Sequence, residues 1–140
     1  MDNTRLRDRK ILVVDDEERM VRFIRLNLEH DGFQVFEAYN GTQAINRIRT
    51  NLPDLILLVV MLPDIDGFEV LRIIREVSSV PVIMLTAKAQ DADVFKGWQS
   101  GVDCYLTKPF NPMELISFVK RIFKSLEGGG SDGEKRYEIT

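Results

Sequence analysis

Asp54-Leu55-Ile56-Leu57-Leu58-Val59-Val60-Met61-Leu62-Pro63-Asp64-Ile65-Asp66-Gly67 is the stretch on which the fold turns. Its first half is an unbroken apolar run with no polar alternation, the pattern of a strand buried on both faces, and Pro53 punctuates it upstream. The second half is a turn-rich loop in which Asp66 is placed to cap a helix across Phe68–Val77. A strand covered on both faces needs parallel neighbours and helices above and below it, so the flanking sequence should supply them.

It does so in both directions. Upstream, Lys10–Val14 is a second apolar run closed by Asp15-Asp16, and a helix follows over Glu17–His30 with Val21, Ile24 and Leu28 at three- and four-residue steps, stopped by Asp31-Gly32. Phe33–Ala38 reads as a strand and Asn40–Asn51 as a helix with Ala44, Ile45 and Ile48 on one side. Downstream come a strand at Val80–Leu85, a helix at Ala89–Ser100 stopped by Gly101, and a short strand at Asp103–Leu106. The last helix opens with Asn111 as cap, Pro112 at its first position and Glu114 at the capping-box position, and Leu115, Val119, Ile122 and Leu126 form its inner stripe. Five strand–helix repeats with short connections predict an α/β fold, a parallel sheet covered by helices on both faces, with the working site in the crevice at the carboxyl ends of the strands.

The 140 residues divide into a charged arm over 1–9, one domain over 10–126 and a flexible linker or tail over 127–140, where Glu127-Gly-Gly-Gly-Ser-Asp-Gly133 interrupts the pattern. A disordered tail and the start of a further domain both fit that last segment. With 19 Lys+Arg against 22 Asp+Glu the net charge is −3, which gives no electrostatic footprint for nucleic acid. A single Cys, Cys104, excludes an internal disulfide and fits a reducing, cytoplasmic setting. A single His, His30, argues against a His-rich metal site or a His-centred triad; at a helix end it reads as a solvated residue facing the helix dipole. No apolar run reaches the ~18 residues of a membrane span, and the first ten residues do not read as a signal peptide.

Three strand ends carry residues with chemistry. Asp15 and Asp16, with Glu17 beside them, gather carboxylates that repel one another unless a cation is offered, and hard oxygens suit Mg²⁺; the same run also reads as a plain helix N-terminus. Thr86 could donate its hydroxyl to an anionic oxygen or simply bond a turn. Lys108, before Pro109, could bind phosphate as a point charge or stand in solvent.

Taken together, Asp15-Asp16, Met61-Leu62-Pro63-Asp64-Ile65-Asp66-Gly67, Leu85-Thr86-Ala87, Tyr105 and Lys108-Pro109-Phe110 resemble the CheY-like receiver domain of two-component response regulators over about Lys10–Leu126. The resemblance implies a flavodoxin-like, doubly wound five-stranded parallel sheet of order 2-1-3-4-5 with five helices. It also implies Mg²⁺-dependent transfer of a phosphoryl group from a histidine kinase to an Asp, a carboxylate nucleophile. On that resemblance Asp15, Asp16 and the Met61 backbone carbonyl are metal ligands, Thr86 and Lys108 sense the phosphoryl group, and Tyr105 is the switch aromatic. A face made by the fourth helix, fifth strand and fifth helix would meet an output domain, a protein partner or a second copy, and regulation of transcription is one such output. Lys135-Arg136-Tyr137-Glu138-Ile139 resembles the strand that opens the winged-helix domain of such regulators. Val94, Gln99, Cys104 and Phe118 stand on that face where the winged-helix branch of the family has charged residues, so a charged dimer face is expected to have become apolar. The expected role is signalling rather than enzymatic turnover.

The acceptor position of the family, two residues before the Met of Met-Leu-Pro, is here Val59. Val has neither a nucleophile nor a metal-binding oxygen. Asp54 is expected at the opposite end of the strand, and Asp64 and Asp66 in a loop where the family also carries acids. The sequence therefore reads as a receiver that does not take phosphate in the usual way, with Mg²⁺ bound weakly or not at all. Two origins stay open, an Asp→Val change in an ordinary regulator or a natural receiver acting as a constitutive binding scaffold.

Overall fold

The computed structural model describes residues 9–86, 104–107, 111–127 and 137–139. Among them run β1 (Lys10–Val14), α1 (Glu18–His30), β2 (Gln34–Ala38), α2 (Gly41–Asn51), β3 (Leu55–Val59), α3 (Gly67–Val77), β4 (Val82–Thr86), β5 (Cys104–Thr107), α4 (Pro112–Glu127) and β6 (Tyr137–Ile139). The helix expected at Ala89–Ser100 lies outside the described residues. All strand pairings are parallel, and the order is β2-β1-β3-β4-β5-β6.

Alternation along the strands splits the core in two. Ile11, Val13, Leu55, Leu57, Ile83, Leu85 and Leu106 face α1 and α4, while Leu12, Val14, Ile56, Leu58, Val82 and Met84 face α2 and α3. In β3 every residue from Leu55 to Val59 is buried, which is why the run has no polar alternation. The helices follow the predicted faces closely: Val21, Ile24 and Leu28 are the buried residues of α1. Asn40 accepts from the Gln43 amide (2.8 Å) and Asp66 from the Phe68 amide (2.7 Å), starting α2 and α3. Asn111 does the same for α4, accepting from the Met113 amide at 2.9 Å. Gly32, at φ 96°, ends α1 in a conformation that suits glycine.

Two features differ from the sequence reading. The sheet has six strands rather than five: Tyr137–Ile139, placed by sequence in a linker or tail, pairs in parallel with β5 and takes up an edge whose backbone groups need partners. The inner stripe of α4 is also wider and shorter than expected. Ile116 and Phe123 are buried with Leu115, Val119 and Ile122, whereas Leu126 is 49 % exposed. Phe123 packs on Phe33 with ring centroids 5.8 Å apart, and the Arg9 guanidinium covers it at 5.2 Å, so the helix packs beside α1 and its last turn runs past the core.

That packing makes a direct prediction. In urea denaturation, Phe123→Ala should cost about 3–5 kcal/mol, while Leu126→Ala should stay within about 0.5 kcal/mol of the parent; similar losses for the two would contradict the placement of the stripe.

Candidate functional site

Parallel strands end together, and the register brings the sequence-selected residues to one edge. Val14 pairs with Leu58, and Val59 with Leu85, so Asp15 stands level with Val59 one residue past the β1–β3 pairs. Thr86 ends β4 opposite Thr107, the residue before Lys108. The Asp15 amide continues the β1–β2 pairing by donating to the Ala38 carbonyl (3.1 Å), and the Val60 amide donates to the Leu85 carbonyl (2.9 Å).

Asp15 is wholly buried, and its Oδ1 accepts from the Glu17 amide at 3.1 Å, turning the chain from β1 into α1. Asp16 is exposed and has no side-chain hydrogen bond or ion pair among the described residues. Thr86 is buried at 4 % exposure. Met61 has its side chain 78 % exposed at the mouth of the loop after β3. Tyr105 is placed by its backbone in β5, paired with Met84; Lys108, Val94 and Gln99 lie outside the described residues. Phe118 is half-buried against the first core cluster, with the Arg121 guanidinium 5.1 Å from its ring centre, so its own chain already covers part of the ring.

Val59 sits at 5 % exposure where β3 enters the crevice, buried yet part of neither core cluster. Just beyond it the chain turns back so tightly that a Cβ on Gly67 would stand 2.4 Å from the Val59 carbonyl oxygen and 2.9 Å from Val60 Cα. Gly67 donates its amide to the Val60 carbonyl at 2.8 Å across that approach, so the Asp66-Gly67 pair both caps α3 and closes the loop on β3.

The three neighbouring acids are committed elsewhere. Asp54 is at the far end of β3, accepting from the Lys10 amide at 2.7 Å, with the Arg9 guanidinium 3.9 Å away. Asp66 is the α3 cap. Asp64 accepts from the Gly41 amide (2.7 Å), the Thr42 amide (3.0 Å) and hydroxyl (2.8 Å), and the Ile65 amide (2.8 Å). Sequence reasoning missed this role, because the partners lie 22 and 23 residues away and no local spacing announces them. The crevice thus retains two carboxylates, and among the described residues no group of three or more His, Cys, Asp or Glu side chains is arranged to hold a metal ion. No helix among the described residues is long and apolar enough to cross a membrane.

A doubly wound parallel sheet with paired acids after β1, a Thr ending β4 and a Pro-Asp-Ile-Asp-Gly turn after β3 defines a signalling receiver. Residues 11–120 match the family model described as the response regulator receiver domain, and the chain belongs to that family. It is similar to the regulatory protein VanRc of Enterococcus gallinarum, 49 % identical over 79 % of this chain and 48 % of the relative. It is also similar to the alkaline phosphatase synthesis transcriptional regulatory protein PhoP of Bacillus subtilis, 42 % identical over 92 % of this chain and 54 % of the relative. Among solved structures, a two-component response regulator from Clostridium difficile superposes with a TM-score of 0.83 at 34 % identity, covering 85 % of this chain and 98 % of the other. The chain spans about half the length of the curated relatives it matches.

The hydrogen bonds of Asp64 give it a pH signature. Donation from the Gly41 amide, then from Thr42 and Ile65, holds its carboxyl well below the ordinary carboxylate range. A group whose folded pKa is depressed adds stability above its unfolded pKa and loses it as pH falls toward the folded value. Asp64→Asn should therefore melt below the parent at neutral pH, and the gap should narrow as pH drops below the ordinary carboxylate range; thermal melts across pH would show a constant gap if the carboxylate charge is irrelevant.

Proposed function

We propose that this receiver cannot be phosphorylated in the usual way and acts through protein contacts set by something other than an aspartyl phosphate. The observation that carries the reading is Val59, a buried hydrocarbon level with Asp15 at the carboxyl end of β3. Attack on a phosphoryl donor needs an electron pair in line with the leaving group, and none of the loop acids substitutes: Asp64 and Asp66 are bonded to helix termini, and Asp54 is at the other end of the strand.

The residues present fit Mg²⁺ poorly. Asp15, Asp16 and the Met61 carbonyl would be its protein ligands, and a carboxylate at position 59 would have completed them. Mg²⁺ tolerates few carboxylates with several waters, but Asp15 is buried and already accepts a backbone N–H, so the remaining set is weakened beyond the simple loss of one oxygen. Thr86 and Lys108 keep their family roles only toward an anion that arrives without a covalent bond, and Tyr105 remains a switch residue without its usual trigger.

A histidine kinase, together with an output domain, a protein partner or a second copy meeting the face that includes β5 and α4, makes up the partners consistent with the family. That this chain is the regulatory part of a DNA-binding transcriptional regulator is supported by relatives named as transcriptional regulatory proteins, of whose length the match covers about half.

Two measurements test the reading. Incubated with acetyl phosphate and Mg²⁺, the chain should gain no phosphoryl mass, whereas Val59→Asp should gain a hydroxylamine-sensitive one; a phosphorylated parent overturns the proposal. Val59→Asp should also lose on the order of a few kcal/mol in EDTA, because it adds a third carboxylate to the crevice, and regain part of the loss in Mg²⁺. A variant that melts higher than the parent in EDTA contradicts the charge argument.

A further inference from the structure

The loop between β3 and α3 is fixed at both ends and, through Asp64, from the side. Val60 is held to β4 by its amide and to Gly67 by its carbonyl, and Asp66 caps α3. Between those anchors Asp64 reaches across to α2, where both carboxylate oxygens are used: Oδ1 by the Gly41 and Ile65 amides, Oδ2 by the Thr42 amide and hydroxyl. With Asn40 accepting from Gln43, three of the otherwise unpaired amides of the first turn of α2 are satisfied by side chains, two of them from a different segment. The approach depends on Gly41, whose Cβ would stand 2.9 Å from Ile65 Cβ and 3.1 Å from Val70 Cγ2. Ile65 in turn packs against the core beneath α2 and α3. None of these contacts involves Val59 or any crevice side chain.

We propose that Asp64 is a positioning residue, holding the β3–α3 loop, and with it the Met61 backbone, against the crevice whatever residue occupies position 59. The consequence for Met61, though not the clamp itself, rests on the reading of the Met61 backbone carbonyl as a metal ligand given above. A carboxylate with four donors is a stiff strut, since charge-assisted bonds to backbone amides are short and roughly twice as strong as neutral ones. The loop geometry is thus imposed from α2, and losing the acceptor carboxylate leaves the Met61 carbonyl in place.

The test compares Asp64→Ala and Asp64→Asn with the parent by backbone amide relaxation. In Asp64→Ala the order parameters of Met61, Leu62 and Ile65 should fall from about 0.85 to below about 0.6, while those of β1 and β3 stay high. Asp64→Asn, which keeps one acceptor oxygen, should fall between and guards against an alanine variant that fails to fold. Loosening confined to Gly41 and Thr42, with Met61 and Leu62 as rigid as in the parent, would reduce Asp64 to a helix cap and overturn the proposal. In the Val59→Asp background, calorimetric titration with MgCl₂ should show Asp64→Ala weakening Mg²⁺ binding roughly tenfold, in line with supporting residues that orient metal ligands; unchanged affinity also overturns it. If Val59→Asp alone takes up no Mg²⁺, the reading of position 59 fails, and the order parameters still decide the role of Asp64.

Discussion

Burial of β3 on both faces is the constraint on which the rest of this molecule depends. Five consecutive buried residues leave little room for an unpaired polar side chain within the strand, so chemistry is confined to its end, where the sheet opens into its crevice. A carboxylate at position 59 would be a compromise at that boundary, its backbone in the core strand and its side chain at the site. Val59 carries the apolar run to the last residue of β3 and places no like charge beside Asp15, which favours the fold.

The same constraint explains what the sequence disclosed. Continuous apolar runs and three-to-four-residue steps are set by burial, so the strands, the buried faces of α1 and α2 and the parallel sheet could be read directly, while the strand order came from the family resemblance. Asp66 and Asn111 were legible because a cap and its helix are neighbours in the chain, whereas Asn40 was counted in its helix rather than as the cap it is. Asp64 was not, since the amides it satisfies are on a helix that ends before β3 begins. Nor was the extent of the α4 stripe: where a helix leaves the sheet is fixed by the neighbouring α1, and periodicity alone counted Leu126 as core and passed over Phe123. The sixth strand was legible only in part: Lys135–Ile139 resembles the opening strand of a further domain, but its pairing with β5 runs through backbone groups that carry no side-chain signature.

The crevice itself was partly legible. Asp15, Asp16 and Thr86 were selected by position at a strand end and Val59 by the family motif, and the register brings these strand ends to one edge. Their environments were not foreseeable from order alone: Asp15 is enclosed and turns the chain, whereas Asp16 stands in solvent.

That difference bears on how much the surviving motif says about the history of position 59. Residues that also serve the fold would persist whether or not phosphate is ever bound. Gly67 lets α3 approach the end of β3, Asp66 caps α3, Asp64 braces α2, and Asp15 shapes the first turn, so their presence carries little information about function. Asp16 is different. It is exposed, without a partner among the described residues, and next to a second acid, an arrangement that contributes repulsion and no contact to the folded state. A fold-serving explanation is therefore weakest for Asp16, one residue beyond the Asp15 that stands level with Val59.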